Sequence, residues 1–193
     1  MGSKMTEFRS KSLIALGGNL PSAAGAPQST LVSAIAELSR RGLYVQLLSR
    51  FFHTPCFPAG AGPDYVNAVI QLSTDISSAD LLAILHDVEA QFARVREQRW
   101  GMRTLDLDLI AREDQVSPDL ATYRHWQALP LAAQTRRAPE QLILPHPRLQ
   151  DRGFVLVPLC DIAPDWQHPV LGLSAREMLA ALPKAAVAEV QPL

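Results

Sequence analysis

Two aspartates one residue apart, Asp106 and Asp108, stand in the run Thr104 to Ile110, T-L-D-L-D-L-I. On a strand, residues i and i+2 face the same side, so the two carboxylates stand next to each other while Leu105, Leu107 and Leu109 turn toward the core. Like charges this close repel unless a cation lies between them. Hard oxygen ligands on a rigid strand suit Mg²⁺, which takes one or two carboxylates and completes its shell with water and phosphate oxygens. The competing reading is a solvated strand face. Acids are depleted in strands without a reason, which favours the metal. A glycosidase-type acid pair fits poorly, because those carboxyls flank a sugar bond rather than share one strand.

Upstream stand Arg94, Arg96, Arg99 and Arg103. Guanidinium groups bind phosphate bidentately. A run of charge is more often a solvated face, but here it adjoins the aspartate pair, and cations beside a metal site are what a polyphosphate needs. Phosphoryl-type transfer rests mainly on positioning and charge neutralisation. Trp100, within the run, either stacks on a flat ring or packs in the core. Asn67 either pairs with the donor–acceptor edge of a ligand or is a half-exposed polar strand residue. Gly17-Gly18-Asn19 reads as a turn, and so does His146 within P-H-P-R. No G-x-x-x-x-G-K-[ST] is present, which excludes a P-loop enzyme.

The elements that position these residues follow from periodicity. Ser12 to Leu16 reads as a buried strand, and Pro27 to Arg41 as a helix with Leu31, Ile35 and Leu38 inward. Leu43 to His53 reads as a second strand, and Thr54 to Asp64 as a Pro- and Gly-rich loop. Tyr65 to Leu72 alternates, with Val66, Ala68, Ile70 and Leu72 on one face. Ser77 opens a helix carrying Leu81, Leu82, Leu85, Val88 and Phe92, and Thr104 to Ile110 is the next strand. The order β-α-β-β-α-β predicts an α+β fold with a ferredoxin-like core, helices on one face and the other face open to ligands. Phe154 to Leu159 reads as an extra C-terminal strand, and Ser174 caps an extra helix with Met178, Leu179 and Leu182.

A chain of 193 residues suggests one domain, placed at 12–185, with an insertion at about 112–141 that holds a short helix near Tyr123 to Leu129. Residues 1–11 form a polar N-terminal extension, of which Met1 to Lys4, ahead of a second Met at position 5, reads as a cloning remnant. A net charge of -1 does not favour a general nucleic-acid or anionic-membrane binder. Cys56 and Cys160 fit neither a disulfide framework nor a zinc site and read as small buried hydrophobes. No apolar run reaches spanning length, and the expected setting is the cytoplasm.

The run from Arg94 to Leu109, R-x-R-x-x-R-W-G-x-R-T-L-D-L-D-L, resembles the signature of 6-hydroxymethyl-7,8-dihydropterin pyrophosphokinases of folate biosynthesis. So do L-G-G-N-L at Leu16 to Leu20, Thr54-Pro55, P-D-Y-V-N at Pro63 to Asn67, L-P-H-P-R at Leu144 to Arg148 and R-G-F-V-L at Arg152 to Leu156. The resemblance implies transfer of the β,γ-pyrophosphate of ATP to a pterin hydroxymethyl group, releasing AMP, in a monomer. It implies that Asp106 and Asp108 hold two Mg²⁺ ions and that Arg94 and Arg103 assist transfer. Thr54, Pro55, Phe57, Tyr65, Asn67, Trp100 and Phe154 match the family's pterin pocket. Glu89, Arg96, His146 and Arg152 match its ATP side. Ala93, Met102 and His86 depart from the Gly, Pro and Gln usual in the family.

Two rivals stand beside this reading. An RNA-recognition domain shares the element order, but its third strand should resemble K/R-G-F/Y-G/A-F-V-x-F/Y, whereas this one is Y-V-N-A-V-I-Q-L. The other rival is an inactive relative that still binds pterin and nucleotide.

Overall fold

β1 (Ser10–Gly18) pairs on both sides, with β4 (Tyr65–Thr74) and with β5 (Asp106–Arg112), and is the spine of an antiparallel sheet. The computed structural model describes residues 9–56, 60, 62–92, 103–130, 133 and 139–193. Its sheet order is β5-β1-β4-β3-β6, with β3 at Phe52–Thr54 and β6 at Gln191–Pro192; β2 (Tyr44–Leu48) also pairs with β4.

One face is covered by α1 (Pro27–Arg40) and α2 (Ser78–Phe92). Pro27 starts α1 with its φ already helical, and Gly42, at φ 87°, takes the left-handed conformation that turns the chain out. Ser77 Oγ accepts the Asp80 N–H at 3.1 Å and opens α2. Leu31, Ala34 and Leu38 of α1 and Leu81, Leu85 and Val88 of α2 pack on Ile14, Leu16, Val66, Ile70, Leu72, Leu105, Leu107 and Leu109. The alternation in β4 and β5 therefore faces as the sequence predicts.

The opposite face is not open along its whole length. Phe154 to Leu159, expected as a strand, lies in helix α4 (Gly153–Ile162). The run F-V-L-V-P-L is apolar throughout, so neither period shows, and Pro158, with no N–H to donate, argues against a helix on sequence grounds. Burial decides: Val155, Leu156 and Leu159 form a helical stripe that packs on Leu13, Val69, Ile110 and Ala111. Ala175 and Met178 of α5 (Ala175–Ala181) join that cluster, and Ser174 caps α5 in a capping box with Glu177. Among the described residues, α4 and α5 leave uncovered the end of this face that carries the later residues of β1 and the first residues of β4 and β5.

The run Leu43 to His53 forms two strands rather than one. At the break, Ser49 N–H donates to the Val69 carbonyl and Ser49 Oγ accepts the Val69 N–H, both at 2.9 Å. Arg50 then donates from Nε and Nη2 to Asp161 of α4 at 2.9 and 2.7 Å. These bonds tie the sheet to α4 where a continuous strand would have run on.

The stretch 112–141, expected as an insertion, carries α3 (Leu120–Ala128), capped by Asp119 Oδ1, which accepts the Thr122 N–H at 2.9 Å. Tyr123 is fully buried, and its Oη lies 3.0 Å from Nε2 of the equally buried His168. Among the described residues no helix is long and apolar enough to cross a membrane.

Candidate active site

Register places the chemistry. Asp106 lies opposite Gly17, Gly17 opposite Asn67, and Asn67 opposite Phe52, so the four form one row across β5, β1, β4 and β3. Asp108, opposite Ala15, begins the next row. Both aspartates point away from the Leu105, Leu107 and Leu109 side, as alternation requires. Their side chains are 33% and 41% exposed, enough for a ligand to reach both.

Each aspartate faces an arginine. Arg103 Nη1 pairs with Asp106 Oδ1, and Arg152 Nη1 lies 3.8 Å from Asp108 Oδ2. Even so, burial and the charge of Asp108 hold the Asp106 carboxyl above the usual carboxylate range. The Asp106 charge in turn raises the Arg103 guanidinium, whereas burial lowers that of Arg152. Asp106 thus stays raised although Arg103 and Arg152 both counter its burial and the charge of Asp108. Among the described residues there is no group of three or more His, Cys, Asp or Glu able to hold a metal. A set of two carboxylates suits Mg²⁺ sharing its shell with phosphates, and it does not suit a closed zinc site.

β5 is an edge strand, and its outer groups are occupied by residues that the family resemblance would put on the nucleotide side. Glu89 Oε1, on α2, accepts the Leu107 N–H at 2.7 Å, and His146 N–H donates to the Ile110 carbonyl at 2.8 Å. Burial, with Asp106 and Asp108 adding to it, pushes the Glu89 carboxyl up to about 7. Burial pushes the His146 imidazole down to about 3, and its Nδ1 accepts the Arg148 N–H at 3.1 Å. Arg152, past the short turn Leu149–Asp151, carries its guanidinium 5.7 Å from the ring centre of Phe154, which is exposed at the start of α4.

At the other end of the row, Asn67 Nδ2 donates to Thr54 Oγ1 at 2.7 Å, both residues being buried. Pro55 follows Thr54 on the surface. Tyr65 lies opposite Thr54, and burial raises its phenol above the ordinary value. Of the residues singled out from the sequence, Phe57, Arg94, Arg96, Arg99 and Trp100 lie outside the described residues, as do Ala93 and Met102.

Three residues matter here that sequence reasoning passes over as a turn. A Cβ on Gly17 would sit 3.0 Å from Asn67 Oδ1, and one on Gly18 would sit 2.6 Å from the Thr104 carbonyl oxygen. Asn19 N–H donates to the Arg103 carbonyl, and Asn19 Oδ1 accepts the Arg103 N–H, both at 2.9 Å. The signal in the sequence is a Gly-Gly-Asn directly after a buried strand, which marks a close backbone approach as readily as a turn.

An open sheet end with paired acids, facing arginines and a buried amide is an arrangement suited to a nucleotide-dependent transferase. Residues 13–164 match the family model for 7,8-dihydro-6-hydroxymethylpterin-pyrophosphokinase. A 2-amino-4-hydroxy-6-hydroxymethyldihydropteridine pyrophosphokinase of Synechocystis sp. is 35% identical over 181 residues, 93% of this chain and 80% of that protein. The protein of that name from Pseudomonas aeruginosa is 36% identical over 172 residues, 88% of this chain and 90% of that one. In structure, the chain is similar to Plasmodium falciparum HPPK-DHPS, with a TM-score of 0.61 and 12% identity over 89% of this chain; it spans 44% of that longer chain. The chain belongs to the 7,8-dihydro-6-hydroxymethylpterin-pyrophosphokinase family. It is an ATP-dependent diphosphokinase of folate synthesis, transferring pyrophosphate from ATP to hydroxymethyldihydropterin.

Proposed function

We propose that the transfer takes place on the end of the sheet that α4 leaves uncovered, with the pterin lying along the row from Asn67 to Asp106. The observation that carries this is the register Asp106–Gly17–Asn67. It separates carboxylate from amide by two strand spacings, roughly 10 Å. The residue between them has no side chain, so a flat bicycle can lie over the sheet. Thr54 holds the Asn67 amide so that Oδ1 is left to accept from the ring. Tyr65, Pro55 and Phe154 would wall the pocket, and the resemblance assigns Phe57 and Trp100 to it as well.

Asp106 and Asp108 would hold two Mg²⁺ ions, which neutralise phosphate charge and bring nucleophile and phosphate together. Arg103 and Arg152 flank that point, and with Arg94, Arg96, His146 and Glu89 they orient the triphosphate. The hydroxymethyl oxygen bonds to the β-phosphorus, the bond from that phosphorus to the α,β-bridging oxygen breaks, AMP leaves, and the hydroxyl proton passes to solvent. No strong base is required where positioning and charge carry the reaction.

The strand order supports a ferredoxin-like core within one domain. Tyr123 bonding to His168 supports reading 112–141 as an insertion folded back on that domain, and the pairing of β6 with β3 supports a domain that runs past residue 185. A cytoplasmic monomer is the matching setting.

The test is to incubate the protein with MgATP and 6-hydroxymethyl-7,8-dihydropterin and identify the nucleotide released. AMP formed only with the pterin supports the reading. ADP would mean ordinary phosphoryl transfer, and binding of both ligands without turnover would mean an inactive relative.

A further inference from the structure

We infer that Asn19 is a positioning residue for the transfer, a single buried amide that holds Arg103 and the chain at Pro63 in one frame. The inference rests on the function proposed above and adds a residue to it. Asn in a turn ordinarily bonds its own backbone about two residues on. Asn19 does not. Its Oδ1 accepts from Arg103 N–H across a sequence separation of 84, and its Nδ2 donates to the Pro63 carbonyl at 3.0 Å across a separation of 44. Its own N–H and that of Leu20 both donate to the Arg103 carbonyl, at 2.9 and 3.3 Å. With 2% of its surface exposed, Asn19 has little room to find other partners.

What it holds lies on the two sides of the site. Arg103 is clasped at both backbone groups, and its side chain pairs with Asp106. Pro63 leads into Asp64, which accepts the Cys56 N–H at 3.0 Å and closes the loop after β3, and then into Tyr65. Gly18 lets the two chains meet, because any side chain there would strike the Thr104 carbonyl. Asn19 therefore sets the phosphate-side arginine relative to the pterin-side wall without touching either substrate.

The decisive measurement is a double-mutant cycle of Asn19→Ala and Arg103→Ala, read as the single-turnover rate at saturating substrates. Asn19→Ala is expected to lower that rate by up to about a hundredfold, the cost of misplacing a reacting group by about 1 Å. In the Arg103→Ala background the same change is expected to cost less than about threefold, because its effect runs through Arg103. Multiplying effects, or an unchanged rate in Asn19→Ala, would overturn the inference. Amide exchange reads it without turnover: Arg103 N–H should lose protection in Asn19→Ala and keep it in Asn19→Asp, which retains the acceptor. Unchanged protection in Asn19→Ala refutes the clasp even if the protein has another activity. If wild type makes no AMP while Arg103 responds as expected, the proposed function falls and the clasp stands. Should Asn19→Ala fail to fold, Asn19→Ser carries both comparisons.

Discussion

Asn67 is oriented by Thr54: its amide nitrogen donates to Thr54 Oγ1 at 2.7 Å, which leaves Asn67 Oδ1 facing Gly17 and the row that ends at Asp106. Thr54→Val keeps the shape and removes the acceptor. A buried N–H left unpaired costs about 1–3 kcal/mol, and the amide is then free to flip. The expected result is a pterin dissociation constant raised about tenfold, within that energy range, with ATP binding little changed. Calorimetric titration with each substrate checks it, and an unaltered pterin affinity would remove Thr54 from the site.

Asp106→Asn and Asp108→Asn each take away one carboxylate of the proposed metal pair. Turnover is expected to fall by about a thousandfold or more, several kcal/mol of charge stabilisation. The fold should survive, since removing one of two repelling charges relieves the tension that raises the Asp106 carboxyl. AMP formation against Mg²⁺ concentration, with melting temperature alongside, reads both effects. Near-full activity in either variant would mean that the metal is held elsewhere.

The two glycines should separate binding from stability. Gly17→Ala puts a methyl group 3.0 Å from Asn67 Oδ1, so pterin affinity should weaken while the melting point moves little. Gly18→Ala drives a methyl group to 2.6 Å from a backbone oxygen that cannot yield as a side chain does. A loss of about 1–3 kcal/mol in urea unfolding is expected for Gly18→Ala, as for other overpacked sites.

Two groups away from the site, His168 and Glu37, should each cost stability on acidification, in different windows. Burial holds the His168 imidazole down to about 4, with Nδ1 accepting from Val170 N–H and Leu171 N–H, each at 3.2 Å. Its Nε2 therefore carries the proton and donates to Tyr123 Oη. The unfolded chain takes up that proton near the ordinary value of 6.5 and the folded one only near 4, so stability is lost as pH falls between them. The slope there is up to about 1.4 kcal/mol per pH unit. Glu37 behaves as a depressed acid: hydrogen bonds from Arg40 and Arg41 bring it to about 2, so its contribution is lost as pH falls below 4.5. Denaturant unfolding of wild type and His168→Gln across pH 4 to 7 should show the variant lose less stability on acidification than wild type, with His146, also held down, and Glu89, held up, contributing equally in both.

Local regularities are legible in the sequence. Period-2 alternation places Asp106 and Asp108 on one side of a strand and Asn67 on the polar face of another, because strand geometry alone dictates which way each side chain points. The helix starts at Pro27, Ser77 and Ser174 are legible for the same reason, since capping is a matter of a few adjacent residues. The helix at Phe154 is not, because an all-apolar run carries no period and only the cluster it packs against decides its form.

The residue types and their spacing thus determined which chemistry was expected: paired carboxylates, a run of arginines and an amide on a strand face. Tertiary structure alone decided how those parts meet. It set Gly17 between Asp106 and Asn67, closed half of the ligand face with α4, and turned an apparent turn residue, Asn19, into the clasp on Arg103. The reason is physical. Strand and helix periods are written within a few residues, whereas register and long-range hydrogen bonds depend on which segments pack together, and no single segment carries that information.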